Sequence, residues 1–182
     1  KGGLALYALS DYIGNENTVR ALKAFYNEFS NTNKDSAKTA PNSLDLIRHL
    51  RAVTPAAYQQ LVTDLFESII LYEFAATEAT VQAMPDGKFK VRVSVTTNKL
   101  VSDGKGRETE QVLQIPIAIG LFGARDPVTG IRKPIHREKY QIAGQGSIEV
   151  VVDEKPVLAG INPYHILLER DKSDNYVYVV KH

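Results

Sequence analysis

Four histidines, at 49, 136, 165 and 182, are the side chains best suited to metal or proton-transfer chemistry, and no two stand three or four residues apart. Zinc needs three or four converging ligands, and the helical His-Glu-x-x-His arrangement that sets two imidazoles on one face is missing. His165 and Glu169 fall at i and i+4, but one His and one Glu cannot hold a metal alone, so surface pairing is the expectation there. His49 reads as a solvated residue on a polar helix face. Asp103-Gly104-Lys105-Gly106 and Gly144-Gln145-Gly146 have the composition of phosphate cradles, yet neither opens a helix after a buried parallel strand; both read as turns. No serine sits in a Gly-x-Ser-x-Gly elbow. Pairs such as Asp153-Glu154 read as solvated strand ends, and the alternating Tyr176 and Tyr178 as packing on a strand face.

Composition narrows the field further. The chain has 182 residues, 43% hydrophobic and 24% charged, with 22 Lys plus Arg against 21 Asp plus Glu. A formal net charge of +1 lacks the positive excess that phosphate backbones select, so nucleic acid is not an expected partner. There is no cysteine, hence no disulfide, thiolate metal site or cysteine nucleophile. No apolar run approaches the roughly 20 residues that span a bilayer, and Lys1-Gly2-Gly3-Leu4 is no secretory leader. The start at Lys1 suggests a piece of something longer.

Two kinds of periodicity divide the chain. Gly3 to Ile13 is rich in Leu and Ala and predicts a helix closed by Gly14. Asn15 or Asn17 is placed to cap a second helix carrying Val19, Leu22, Phe25, Tyr26 and Phe29. Ser30 to Asn42 reads as a surface loop, and Ser43 as the cap of a third helix with Leu44, Ile47 and Leu50. Thr54 as N-cap and Pro55 at the first helical position predict a fourth, whose face is Tyr58, Leu61, Val62, Leu65, Phe66 and Ile69. From about Phe74 the period changes from 3.6 to 2. Strands are predicted over Thr77 to Ala83, from Phe89 to Val95 after an Asp86-Gly87 turn, and from Leu113 to Leu121 with Pro116 at an edge or bulge. Later ones cover Ile135 to Ile142, Ser147 to Val152 and Tyr176 to Val180. The expected fold class is α+β: a helical segment of about four helices, 1–73, followed by an antiparallel β-sandwich of immunoglobulin or fibronectin-III type, 74–182.

Lys1-Gly2-Gly3-Leu4-Ala5-Leu6-Tyr7-Ala8-Leu9 followed by Asp11-Tyr12-Ile13-Gly14 resembles the Lys-Gly helix of aminopeptidase N-like zinc metallopeptidases, the gluzincins. The likeness continues through Val19-Arg20-Ala21-Leu22, Ser43-Leu44-Asp45-Leu46 and Tyr58 to Glu67. It then runs through Thr77-Glu78-Ala79-Thr80, Asp86-Gly87-Lys88-Phe89 and Asp153-Glu154-Lys155-Pro156. Ala159-Gly160-Ile161-Asn162-Pro163-Tyr164 with Asp174-Asn175 resembles the tail of bacterial members joined to membrane-transport permease segments.

The resemblance implies that the helices close a thermolysin-like catalytic domain and that the sandwich follows it. In the intact parent a zinc-bound water would attack a peptide carbonyl, with a Glu as general base and a Tyr stabilising the oxyanion. The zinc-binding His pair, both Glu residues, the Gly-x-Met-Glu-Asn loop and that Tyr have no counterpart here. Only Lys1 and Gly2 remain of the motif, with no catalytic role assigned. The chain alone is therefore expected to be inactive and structural, with zinc and peptide substrate belonging to the parent and the upstream catalytic lobe as its partner. Leu4, Leu6, Tyr7, Leu9 and Ile13 make the first helix too apolar for water, which predicts an exposed patch or self-association through it. A different class, a non-catalytic sandwich that binds a ligand through Tyr140, Tyr176 and Tyr178 with the helices as a stalk, is the alternative.

Overall fold

The computed structural model describes residues 2–30 and 40–181; Lys1, most of the loop predicted over 30–42, and His182 lie outside them. The fold is α+β, with helices first and two largely antiparallel sheets after them. Two compact units divide it, Lys1–Ile69 and Ile70–His182.

In the first unit, α1 spans Gly2–Ile13, α2 Asn15–Phe29 and α3 Ser43–Val53. Ala5, Ala8, Leu9 and Ile13 recur at helical spacing and are buried. Gly14 breaks α1 from α2 at φ +87°, a backbone state L side chains disfavour. Its N–H still reaches the Ser10 carbonyl at 2.9 Å. The asparagines do not cap α2 as expected. Gly14 stands at the N-cap without a side-chain bond, and Asn17 Nδ2 instead donates to the Ile13 carbonyl at 2.7 Å, closing the preceding helix. At α3 the cap is Asn42, not Ser43: Asn42 Oδ1 accepts from Leu44 N at 2.8 Å and Asp45 Oδ2 from Asn42 N at 3.0 Å.

The fourth helix differs from its prediction. Thr54 ends α3 rather than opening a helix: its backbone is extended ahead of Pro55, and its hydroxyl donates to the Leu50 carbonyl at 2.7 Å. A 3₁₀ turn, Ala56–Tyr58, leads into α4, Gln59–Val62, and then a π turn, Thr63–Glu67. Ser68 N bonds back to the Thr63 carbonyl at 3.0 Å, the wider π closure. That widening brings Asp64 to the buried position and leaves Ile69 exposed, where an unbroken period would have buried Leu65 and Ile69.

Nine strands follow among the described residues. β1 is Ile69–Ala83, β2 Phe89–Ser102, β3 Glu108–Gln111, β4 Ile117–Arg125 and β5 Arg132–Tyr140. β6 is Gly144–Val152, β7 Leu158–Ile161, β8 Tyr176–Tyr178 and β9 Val180–Lys181. One sheet runs β3-β2-β1-β9 with β6 also on β2; the other runs β5-β4-β7-β8. Val91, Val93 and Val95 of β2 and Ile117, Ile119 and Leu121 of β4 are all fully buried, so both sheets feed the core.

Several strand predictions shift. The strand predicted over Leu113 to Leu121 is β4, Ile117–Arg125, which leaves Leu113, Ile115 and Pro116 ahead of it. β2 runs on to Ser102, and β5 is Arg132–Tyr140 rather than Ile135 to Ile142. β1 begins at Ile69 rather than Thr77. Gly144-Gln145-Gly146 is no turn but the start of β6, with Gly144 opposite Thr97 and Gly146 opposite Val95. The run 176–180 splits, since β8 pairs with β7 while β9 pairs in parallel with β1 in the other sheet. Asp103-Gly104-Lys105-Gly106 is the expected turn, closed by Asp103 Oδ1 accepting from Lys105 N at 2.7 Å.

Candidate functional site

In the second unit, a concavity lined by aromatic rings lies beside two paired glycines. Gly120 of β4 pairs with Gly160 of β7, and Gly160 pairs with Tyr176 of β8, so the three share one face of the sheet. A Cβ at Gly160 would lie 2.7 Å from the Tyr176 ring, and one at Gly120 2.9 Å from both the Phe122 ring and Pro163. Rings therefore lie directly on bare backbone. Phe122 meets Tyr164 edge-on at 6.2 Å between centroids and Tyr176 at 6.3 Å. The Tyr176 hydroxyl donates to the Pro163 carbonyl, and burial raises its pKa.

Phe122, Pro163, Tyr164 and Tyr176 also line a cavity of about 740 Å³ that takes in Arg125, Ile131, Arg132, Leu158 and Tyr178. The Arg132 guanidinium stands 5.9 Å over the Tyr178 ring and gives one N–H to the Gly123 carbonyl at 3.1 Å. Arg125 gives one to the Gly130 carbonyl at 3.0 Å. Among the described residues that line the space, none is acidic.

Of the three tyrosines proposed as a platform, Tyr176 and Tyr178 meet in this cavity and Tyr140 does not. Tyr140 bonds His136 Nε2 at 2.9 Å and donates to Glu138 at 3.1 Å; burial and that carboxylate push its pKa up to about 12. The sequence reading missed Phe122, Tyr164 and both arginines. The Gly-x-Gly-free spacing of Gly120 and Gly160 gave no signal, because only their cross-strand pairing makes them neighbours.

His165 and Glu169 do not form a helical surface pair, since the segment is non-helical and His165 has φ +52°. Glu169 is drawn inward, where its Oε1 accepts from Asn162 Nδ2 at 2.5 Å and Asn175 Nδ2 at 2.7 Å. Burial raises its pKa to about 7 against those stabilising bonds. His49 is not freely solvated: its Nε2 lies 2.7 Å from Glu28 Oε2 and its ring meets Phe25 edge-on at 5.9 Å, tying α3 to α2. Among the described residues no three His, Asp or Glu side chains converge, so they offer zinc no ligand set. Gly2 begins α1 and is exposed, with open space around it. No protein-family model and no curated protein matches the chain.

Proposed function

We propose that this chain is the C-terminal portion of an aminopeptidase N-like zinc metallopeptidase, supplying structure rather than catalysis: the last helices of a thermolysin-like domain and an immunoglobulin-like sandwich behind it. The Lys-Gly helix resemblance motivates the assignment, and the physical observation that carries it is the outward face of the helical unit. Leu4 is 53% exposed and Tyr7 60%, while Val19, Leu22 and Tyr26 are exposed on α2. Large apolar groups exposed on two successive helices are the kind of surface that an adjoining lobe would cover. The stripe is narrower than the sequence suggests, since Leu9 and Ile13 are buried within the described chain and Leu6 is half-buried. The residues that remain exposed would rest against the catalytic lobe, which would hold the zinc and the peptide substrate.

The test is to express the chain with its upstream coding sequence and measure zinc content and release of amino acids from aminoacyl anilides. Stoichiometric zinc and chelator-sensitive hydrolysis support the assignment. An upstream sequence that encodes no metal-binding helices overturns it.

A second reading, a sandwich module that binds a ligand, is favoured by the cavity that gathers Tyr176, Tyr178 and Tyr164. Saturable capture of an aromatic ligand by the chain, lost on Tyr178→Ala, supports it; no capture by the unaltered chain removes it.

A further inference from the structure

The cavity beside Phe122 and Tyr176 combines two features: aromatic rings set edge-on and tilted against one another, and two guanidinium groups among its described lining residues, which include no Asp or Glu. We propose that it is a binding site for an aromatic carboxylate, either a free aryl acid or the C-terminal aromatic residue of a peptide. This deepens the reading of the second unit as a binding module and rests on it.

The size suits such a ligand, because about 740 Å³ falls within the range of small-molecule sites and Phe122, Tyr164, Tyr176 and Tyr178 present ring faces and edges to a planar group. Charge selects the ligand's other end. Arg125 and Arg132 both line the space, and among the described lining residues there is no Asp or Glu. Each has its described hydrogen bond to a backbone carbonyl, which fixes the guanidinium while leaving the rest of its donor fork for a carboxylate. Arg132 is further held over the Tyr178 ring at 5.9 Å, so less side-chain entropy is lost when an anion docks. The ring floor is equally fixed, since Tyr176 is anchored to the Pro163 carbonyl and lies against Gly160.

The chain has nine Tyr and no Trp, so a Trp-bearing probe reports its own binding by fluorescence. N-acetyltryptophan is titrated against its neutral analogue N-acetyltryptophanamide. The acid is expected to bind saturably and at least about tenfold more tightly than the amide. Arg125→Gln and Arg132→Gln should each remove most of that preference of acid over amide. An acetylated Gly-Gly-Trp peptide with a free C-terminus distinguishes the sources: tighter binding than the small acid indicates a peptide end, weaker binding a free aryl acid. Equal affinity for acid and amide overturns the carboxylate inference but leaves a binding module standing. Failure of every probe to bind overturns both. Arg125 is exposed, so its variant remains a valid test if Arg132→Gln perturbs the fold.

Discussion

At Gly160 a single methyl group decides whether the aromatic layer can form. A Cβ there falls 2.7 to 2.8 Å from Tyr176 ring atoms and 3.1 Å from the Asn175 carbonyl oxygen. Gly160→Ala is therefore expected to cost about 1–3 kcal/mol in a urea titration, because the ring must leave the sheet or the strands must part. An unchanged midpoint would show that the ring yields freely. Glu169 gives a second prediction, with a definite sign. Its folded pKa, about 7, lies above the ordinary 4.5, so the folded chain holds a proton across that window that the unfolded chain has released. Its contribution is present below about 4.5 and is lost as pH rises through about 7. Glu169→Gln should flatten the fall in stability between those values, and an equally steep fall in the variant would place the titration elsewhere.

Among the elements, the broken fourth helix shows how far the sequence reads and where it stops. The apolar spacing of Tyr58, Leu61 and Val62 predicts helical turns, and turns are there; Leu61 and Val62 are fully buried. What spacing does not carry is the carbonyl each N–H chooses, and the π closure at Thr63 shifts the buried face by one residue. Ile70, Tyr72, Phe74 and Ala76 do alternate, but crediting Ile69 to a helix face hid the start of β1. Within β4, burial on both faces came from the second-face residues Ala118, Gly120 and Phe122, whose cover arrives from the distant Pro163 and Tyr176. Long-range pairing of that kind leaves no local signature.

Arg51 compensates for the irregular turns: it donates to the Gln59 carbonyl and side chain at 3.2 Å each and to Thr63 Oγ1 at 2.8 Å, and it pairs with Glu67. Gln59 Nε2 returns bonds to the Arg51 and Thr54 carbonyls at 2.9 and 2.8 Å. Arg51→Met is expected to destabilise the helical unit by about 1–2 kcal/mol, read from its helical circular dichroism on heating. No loss would mean the turns hold by packing alone.

For the whole molecule, the division at Ile69 and Ile70 gives each unit its own buried set: Leu9, Ala21, Leu50 and Leu61 in the first, and the strand residues of β2 and β4 in the second. A polypeptide covering 70–182 is therefore expected to fold with a cooperative transition and a β-rich spectrum. The helical unit, with its outward apolar face, should be the less soluble of the two when made alone. Covalent footprinting of Tyr7 is the most direct test of the assignment to a larger metallopeptidase. Heavy labelling of this 60% exposed ring is expected in residues 1–182, and strong protection once the upstream polypeptide is present. Equal labelling in both would contradict the assignment.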